Sequence, residues 1–225
     1  MRPERLPAHV GVVMDGNRRW ARAAGHGNPS VGHRHGADHV QRLLRWCGEW
    51  GIDHVTVFVL SADNIRKRSA GEVGYLFGLL DEAVPRMVAE NTRWAMHVTG
   101  DLGLLPAATA TALRDAERQT AGRSAHFTMA IGYDGRADIV AGIRGALRAH
   151  GADIDTDAIT ASLAGGPVKD IDLVIRTSGE RRLSGFLPWQ TTRAEIFVSP
   201  KMWPAFTSED FAAALRYYSA HAIAR

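Results

Sequence analysis

An α/β fold built on a largely parallel sheet is the expectation for this chain, and three observations lead to it. Short β-rich apolar runs alternate with segments of helical period along the whole length. Polar and charged residues collect where those runs end. No stretch of the 225 residues reads as a linker between two cores, so residues 1–225 are expected to form a single domain.

The first run is "HVGVVM" (9–14), and the amphipathic segment after "DGN" reads as a helix. Val40, Leu43, Leu44 and Cys47 then recur at helical spacing and form one apolar stripe ahead of the second run, "HVTVFVL" (54–60). A second stripe follows at Val73, Leu76, Phe77, Leu80, Val84, Met87 and Val88. Pro85 within it is expected to kink the helix, because proline removes an amide donor and clashes with the preceding turn. "WAMHVTG" (94–100), "HFTMAIG" (126–132), "IDLVIRT" (171–177) and "AEIFVS" (194–199) complete the set of strand candidates.

Composition narrows the setting. The single cysteine, Cys47, lies on an apolar helix face, so no internal disulfide can form and a reducing, cytoplasmic compartment is expected. No apolar run is long enough to span a bilayer, and "MRPERLPAHV" lacks a signal peptide's apolar stretch, so no transmembrane segment is expected. A formal net charge of +3 and a pI near 9.3 point to an anionic partner.

In open α/β sheets ligands collect beyond the carboxyl ends of the strands. There the sequence places Asp15 to Arg19, "SADNIRKR" (61–68), Tyr133 to Arg136 and Arg176 to Ser184, four loops that would face one cleft. Arginines, hydroxyls and glycines suit phosphate oxygens, and carboxylates at Asp15 and Glu195 suit a hard cation such as Mg2+. A helix beginning after "DGN" would offer free amides to an anion, with Asp15 holding the metal. Taken alone, these residues favour a second reading, in which Asp15 caps the helix and Arg18, Arg19 and Arg22 form a solvated face.

The ordered set "HVGVVMDGNRRWAR", "VGHRHG", "LSADN", "VTGDLGLLP", "YDGRADIV", "DLVIRTSGERRLSGFLPWQTTRAEIFV" and "WPAFT" closely resembles the cis-prenyltransferase family of undecaprenyl diphosphate synthases, from about His9 to Phe211. That resemblance implies a mostly parallel six-stranded sheet surrounded by helices, a magnesium-dependent homodimer, and an enzyme that joins isoprenyl diphosphates. It implies that Asp15 holds magnesium on the allylic diphosphate, with Gly16, Asn17, Arg18, Arg19 and Trp20 around the phosphates and His33 nearby. Arg176, Arg182 and Ser184 match residues that bind the second diphosphate, Glu195 matches a metal-placing glutamate, and Ser61 and Asn64 match a polar pair implicated in ionisation and proton removal.

The chemistry accounts for these residue types. Breaking an allylic carbon–oxygen bond separates a carbocation from diphosphate, so a metal and fixed cations at the leaving group lower the barrier. The cation needs dry apolar walls, for which Phe58, Val59, Leu60, Val73, Leu76, Phe77 and Leu80 are candidates, with plain core packing as the other reading of the same side chains. His26, His35, His39, His54, His97 and His126 lack metal-ligand spacing.

Departures from the family pattern sharpen the expectation. Ile65 replaces a tryptophan, Lys67-Arg68-Ser69 replaces Arg-Pro, and Asn28 to Ser30 stand where an arginine usually contacts the allylic diphosphate. Asp134 stands where relatives have glycine, Gly185, Pro188 and Arg193 are further novelties, and "SAHAIAR" lacks an Arg-x-Gly ending. Val59 in place of a small alanine would narrow the product tunnel. The expected activity is condensation of dimethylallyl, geranyl or isopentenyl diphosphate into a short-chain product, branched or cyclised (lavandulyl-type) or linear and cis. A non-catalytic partner subunit would have lost Asp15, Arg176 and Arg182, and a nucleic-acid binder would carry a basic stripe with stacking aromatics, so neither class fits as well.

Overall fold

The computed structural model describes residues 3–222, and Ile223 to Arg225, the last residues of the "SAHAIAR" ending, lie outside them. All six candidate runs are strands: β1 (His9–Val13), β2 (His54–Ser61), β3 (Trp94–Thr99), β4 (Ala125–Tyr133), β5 (Leu173–Arg176) and β6 (Glu195–Val198). They form one sheet in the order β3-β4-β2-β1-β5-β6, with every neighbouring pair parallel. β1 leads to β2 on one side while β5 leads to β6 on the other, so the connections after β1 and β5 diverge and a crevice opens at their carboxyl ends.

Around the sheet lie α1 (Asn17–Ala23), α2 (Ser30–Trp50), α3 (Ala62–Lys67), α4 (Ala70–Glu90), α5 (Ala107–Thr120), α6 (Gly135–His150), α7 (Thr156–Ser162) and α8 (Ser208–His221). The α2 stripe of Val40, Leu43, Leu44 and Cys47 is buried against Val10, Val12, Val55 and Val57, the side chains of one sheet face. Val13, Ala130 and Val174 point to the opposite face, which Ile171, Phe186 and Leu187 cover. Alternating burial of neighbouring strand residues on two covered faces is what a parallel sheet requires.

Pro85 does not end α4, which runs unbroken from Ala70 to Glu90. Val84 and Met87, 2% and 7% exposed, anchor that segment in the core, so packing outweighs the proline's local cost. The α4 stripe is also not wholly core: Leu76 and Leu80 are only half-buried and border a cavity.

Gly32 lets α1 and α2 touch, since a Cβ there would overlap the Asn17 carbonyl. At the far, amino end of the sheet, His9, His54 and His126 stand side by side in register. The His54 and His126 rings are stacked at 5.1 Å, and His97 Nε2 lies 3.0 Å from His126 Nδ1.

Candidate active site

The chain leaves β1 through Asp15 and Gly16, whose φ of 102° only glycine adopts cheaply, and turns straight into α1. The backbone of Asp15 is pinned from both sides. Its N–H donates to Thr177 Oγ1 at 3.0 Å, and its carbonyl accepts from that hydroxyl at 2.7 Å and from Trp203 N at 3.0 Å. Thr177 follows β5, so the β1 and β5 ends are tied together and the carboxylate is held at the mouth of the crevice.

Asp15 does not cap α1: Gly16 is the N-cap residue, and no side chain bonds to the first amides. The carboxylate instead accepts from Gly16 N at 2.7 Å through Oδ1 and from Arg176 Nη2 at 3.1 Å through Oδ2, with Arg19 Nη2 3.5 Å from Oδ1. Amides without a side-chain cap lie beside Arg18, Arg19 and Arg22, a combination that suits an anion, and all three arginines line one cavity of about 370 Å³ with Asn17, His33, Arg68 and Glu180.

Arg176, 3% exposed, is held from within. Its Nη1 donates to Ser184 Oγ at 3.0 Å and to the Arg182 carbonyl, while its buried Nε has no partner. Arg182 pairs with Glu180, which also lies 3.7 Å from Arg19, and Arg19 reaches the Ser178 hydroxyl. Ser61 caps α3 by accepting from Asn64 N at 3.0 Å. Ser61, Asn64, Arg176, Arg182 and Ser184 share a larger cleft of about 640 Å³ with Asp15, His33, Phe58 and Tyr133.

Glu72 is a residue that sequence reasoning missed. Its Oε1 accepts from Arg68 Nη1 at 3.0 Å and from His33 Nε2 at 3.3 Å, and its Oε2 lies 3.5 Å from Arg18. One carboxylate thus gathers three cleft residues from α1, α2 and the α3–α4 turn. The sequence signal was there in Ser69-x-x-Glu72 ahead of the apolar run, a helix-start pattern, and Ser69 does accept from Glu72 N at 3.3 Å. Burial, followed by repulsion from Arg68, lowers the His33 pKa below the usual histidine value. The ring is therefore neutral at neutral pH, with its proton on Nε2 facing the carboxylate. Lys67 turns outward to Asp63 at 3.0 Å, whereas Arg68 turns into the cleft.

Two of the expected site residues stand apart. Glu195 opens β6 opposite Leu173, three residues before Val198 pairs with Arg176, so it lies at the amino end of the sheet and not beside Asp15. The strand starts there, and a parallel register puts its first residue at the end remote from the cleft. Trp20 packs against His35 at 4.8 Å and His26 at 6.0 Å and lines none of these cavities, because α1 turns that face away from the crevice.

Adjoining the larger cleft, with Asn17, His33, Val59 and Leu76 common to both, lies an apolar cavity of about 90 Å³. Leu80, Met87, Phe127 and Met129 also line it. Among the described residues no group of three or more His, Cys, Asp or Glu converges into a metal cage. Asp15, a cleft carboxylate amid arginines, nevertheless fits Mg2+, which is commonly held by one or two carboxylates together with substrate phosphates. No described helix is long and apolar enough to cross a membrane.

Residues 13–223 match the family model described as "Putative undecaprenyl diphosphate synthase". The chain is 42% identical to an isoprenyl transferase of Streptomyces fradiae over 96% of its own length and 88% of the relative's. It is also 42% identical to a (2Z,6E)-farnesyl diphosphate synthase of Mycobacterium tuberculosis over 96% and 86%. The crystal structure of lavandulyl diphosphate synthase from Lavandula x intermedia in complex with dimethylallyl diphosphate superposes with a TM-score of 0.88 at 31% identity, over 97% of this chain and 98% of that one.

Proposed function

The chain belongs to the undecaprenyl diphosphate synthase family of cis-type prenyltransferases, and from that premise we propose that it condenses two short isoprenyl diphosphates into a short-chain prenyl diphosphate. The observation that carries the short product is the apolar cavity adjoining the cleft. Its small volume of about 90 Å³, with Val59 on its lining, supports a chain of few isoprene units over a polyprenyl tail.

In this reading the uncapped α1 amides with Arg18, Arg19 and Arg68 bind the first, allylic diphosphate, while Arg182, Ser184 and Arg176 hold the second. Glu72 keeps Arg18, Arg68 and His33 turned toward the first diphosphate. When Mg2+ is bound, held by Asp15, it neutralises diphosphate charge that the arginines leave over. The allylic C1–O bond breaks, a new carbon–carbon bond forms to the second substrate, that substrate loses a proton, and inorganic pyrophosphate leaves. Leu76, Leu80 and Val59 keep water from the cationic carbon, and Ser61 and Asn64, which line the same cleft, assist ionisation and proton removal. Assembly as a cytoplasmic homodimer is part of the same proposal.

Two couplings would give such a product. Likeness to (2Z,6E)-farnesyl diphosphate synthases favours a linear cis product, and likeness to lavandulyl diphosphate synthase favours a branched or cyclised one. The test is incubation with dimethylallyl, geranyl and isopentenyl diphosphates plus magnesium, then mass spectrometry and NMR of the dephosphorylated product. A ten- or fifteen-carbon skeleton is expected and its branching decides the coupling, whereas a polyprenyl chain would end the short-product reading.

A further inference from the structure

Asp134, Gly185 and Pro188, separated by about fifty residues of chain, meet on one wall of the larger cleft. Asp134 is the N-cap of α6: its Oδ1 accepts from Arg136 N at 3.0 Å and from Ala137 N at 3.1 Å. The next residue, Gly135, is buried, and a Cβ there would lie 2.5 Å from Pro188 Cδ and 2.6 Å from the Gly185 carbonyl oxygen. The first turn of α6 is therefore pressed against residues 185–188, and two amides that would otherwise face an anion are taken by a carboxylate. Asp15, Arg136, Arg176, Arg182 and Ser184 line the same cleft.

We infer that Asp134 is a specificity-determining residue for the second substrate, an inference that rests on the reading of this cleft as a two-diphosphate site. Asp134 shuts the α6 terminus to phosphate in two ways, by occupying its amides and by presenting a negative charge. The second diphosphate is then confined to Arg176, Arg182 and Ser184, and the contact of Gly135 with Gly185 and Pro188 keeps that wall from shifting. Where the diphosphate is anchored fixes which carbon of the second substrate faces the allylic C1, so Asp134 selects both the acceptor and the bond formed. The substrate class is a short isoprenyl diphosphate whose phosphates lie away from α6.

Two variants separate charge from capping. Asp134→Asn keeps an oxygen for the amides, since Asn caps as well as Asp, and removes the charge; Asp134→Gly removes both. Calorimetry with inorganic pyrophosphate reads the effect without turnover. The second equivalent should bind more tightly in the order wild type, Asn, Gly, with a gain of roughly tenfold for Gly, the scale of one charge-assisted contact. Product NMR should show a changed acceptor preference or skeleton in Asp134→Gly. Unchanged pyrophosphate affinity and unchanged product, with only a lower melting temperature, would reduce Asp134 to a helix cap and overturn the inference. Should Asp134→Gly fail to fold, Asp134→Asn carries the same test. A wild-type protein that makes no product from any diphosphate pair would instead overturn the synthase reading, leaving the pyrophosphate order to decide the role of Asp134.

Discussion

Arg176→Ala and Arg182→Ala should separate two roles that look alike in sequence. The Arg176 side chain is 4% exposed, donates to Asp15, Ser184 and the Arg182 carbonyl, and forms its ion pair with a carboxylate that is 34% exposed. Truncation leaves the hydroxyl and the carbonyl without their charged donor and Asp15 without its cation. A hydrogen bond to a charged group is worth about 1.5 to 3 kcal/mol when buried. Water can re-solvate the exposed part of Asp15, which brings the expected total to about 3 kcal/mol and not the sum of three such bonds. In a chain of this size that corresponds to a drop in melting temperature of roughly 6 to 12 °C. The Arg182 side chain is 65% exposed and pairs with Glu180, so its loss should leave stability within about 0.5 kcal/mol. Both variants should raise the Michaelis constant for the second diphosphate. Guanidinium chloride unfolding of the two purified variants, followed by steady-state kinetics, supplies both readings. Equal stability of the pair, or an Arg182→Ala that unfolds more readily than Arg176→Ala, would refute the assignment of Arg176 as a buried strut.

Three further outcomes are expected. Asp15→Asn should lower turnover about 10²- to 10³-fold, the scale of one lost preorganised charge contact, and near-full activity would make Asp15 structural; excess chelator should abolish wild-type turnover until magnesium is restored, and undiminished turnover would reject the metal requirement. Val59→Ala should widen the apolar cavity and lengthen the product by at least one five-carbon unit in mass spectra, and an unchanged product would move the length limit to other walls such as Met87 or Phe127. Stability should be lost on acidification: burial, with repulsion from His54, lowers the His9 pKa to about 3. The unfolded chain therefore takes up the proton first, near pH 6.5, and unfolding becomes easier as pH falls from there toward 3, with His9 alone removing about 2 kcal/mol by pH 5. Denaturant midpoints at pH 7.5 and 5 that coincide would contradict this.

The role of Glu72 changes how the basic cleft is understood. Arg18, His33 and Arg68 come from three different elements; the carboxylate offsets the repulsion between the two arginines and orients the neutral His33 ring. One carboxylate, 20% exposed, holds all three at the cavity, which keeps positive charge preorganised before any anion arrives.

The sequence by itself determined the sheet and the address of the site. All six apolar runs became strands: β1, β2, β4 and β5 are interior strands buried on both faces, β3 and β6 close the two edges, and the loops after β1, β2, β4 and β5 met at one end because parallel strands share their carboxyl edge. The ordered motifs likewise marked Asp15, Arg176 and Ser184 as neighbours. Tertiary structure decided what local pattern cannot encode. The register of β6 carried Glu195 to the remote end of the sheet, the rotation of α1 turned Trp20 outward onto His35, and the path of the α3–α4 turn sent Arg68 inward and Lys67 outward. Likewise Asp134, Gly185 and Pro188 became one wall only when α6 packed on the β5–β6 connection. Strand formation depends on the burial pattern of a few adjacent residues, whereas side-chain direction at a strand or helix end depends on contacts with segments far along the chain.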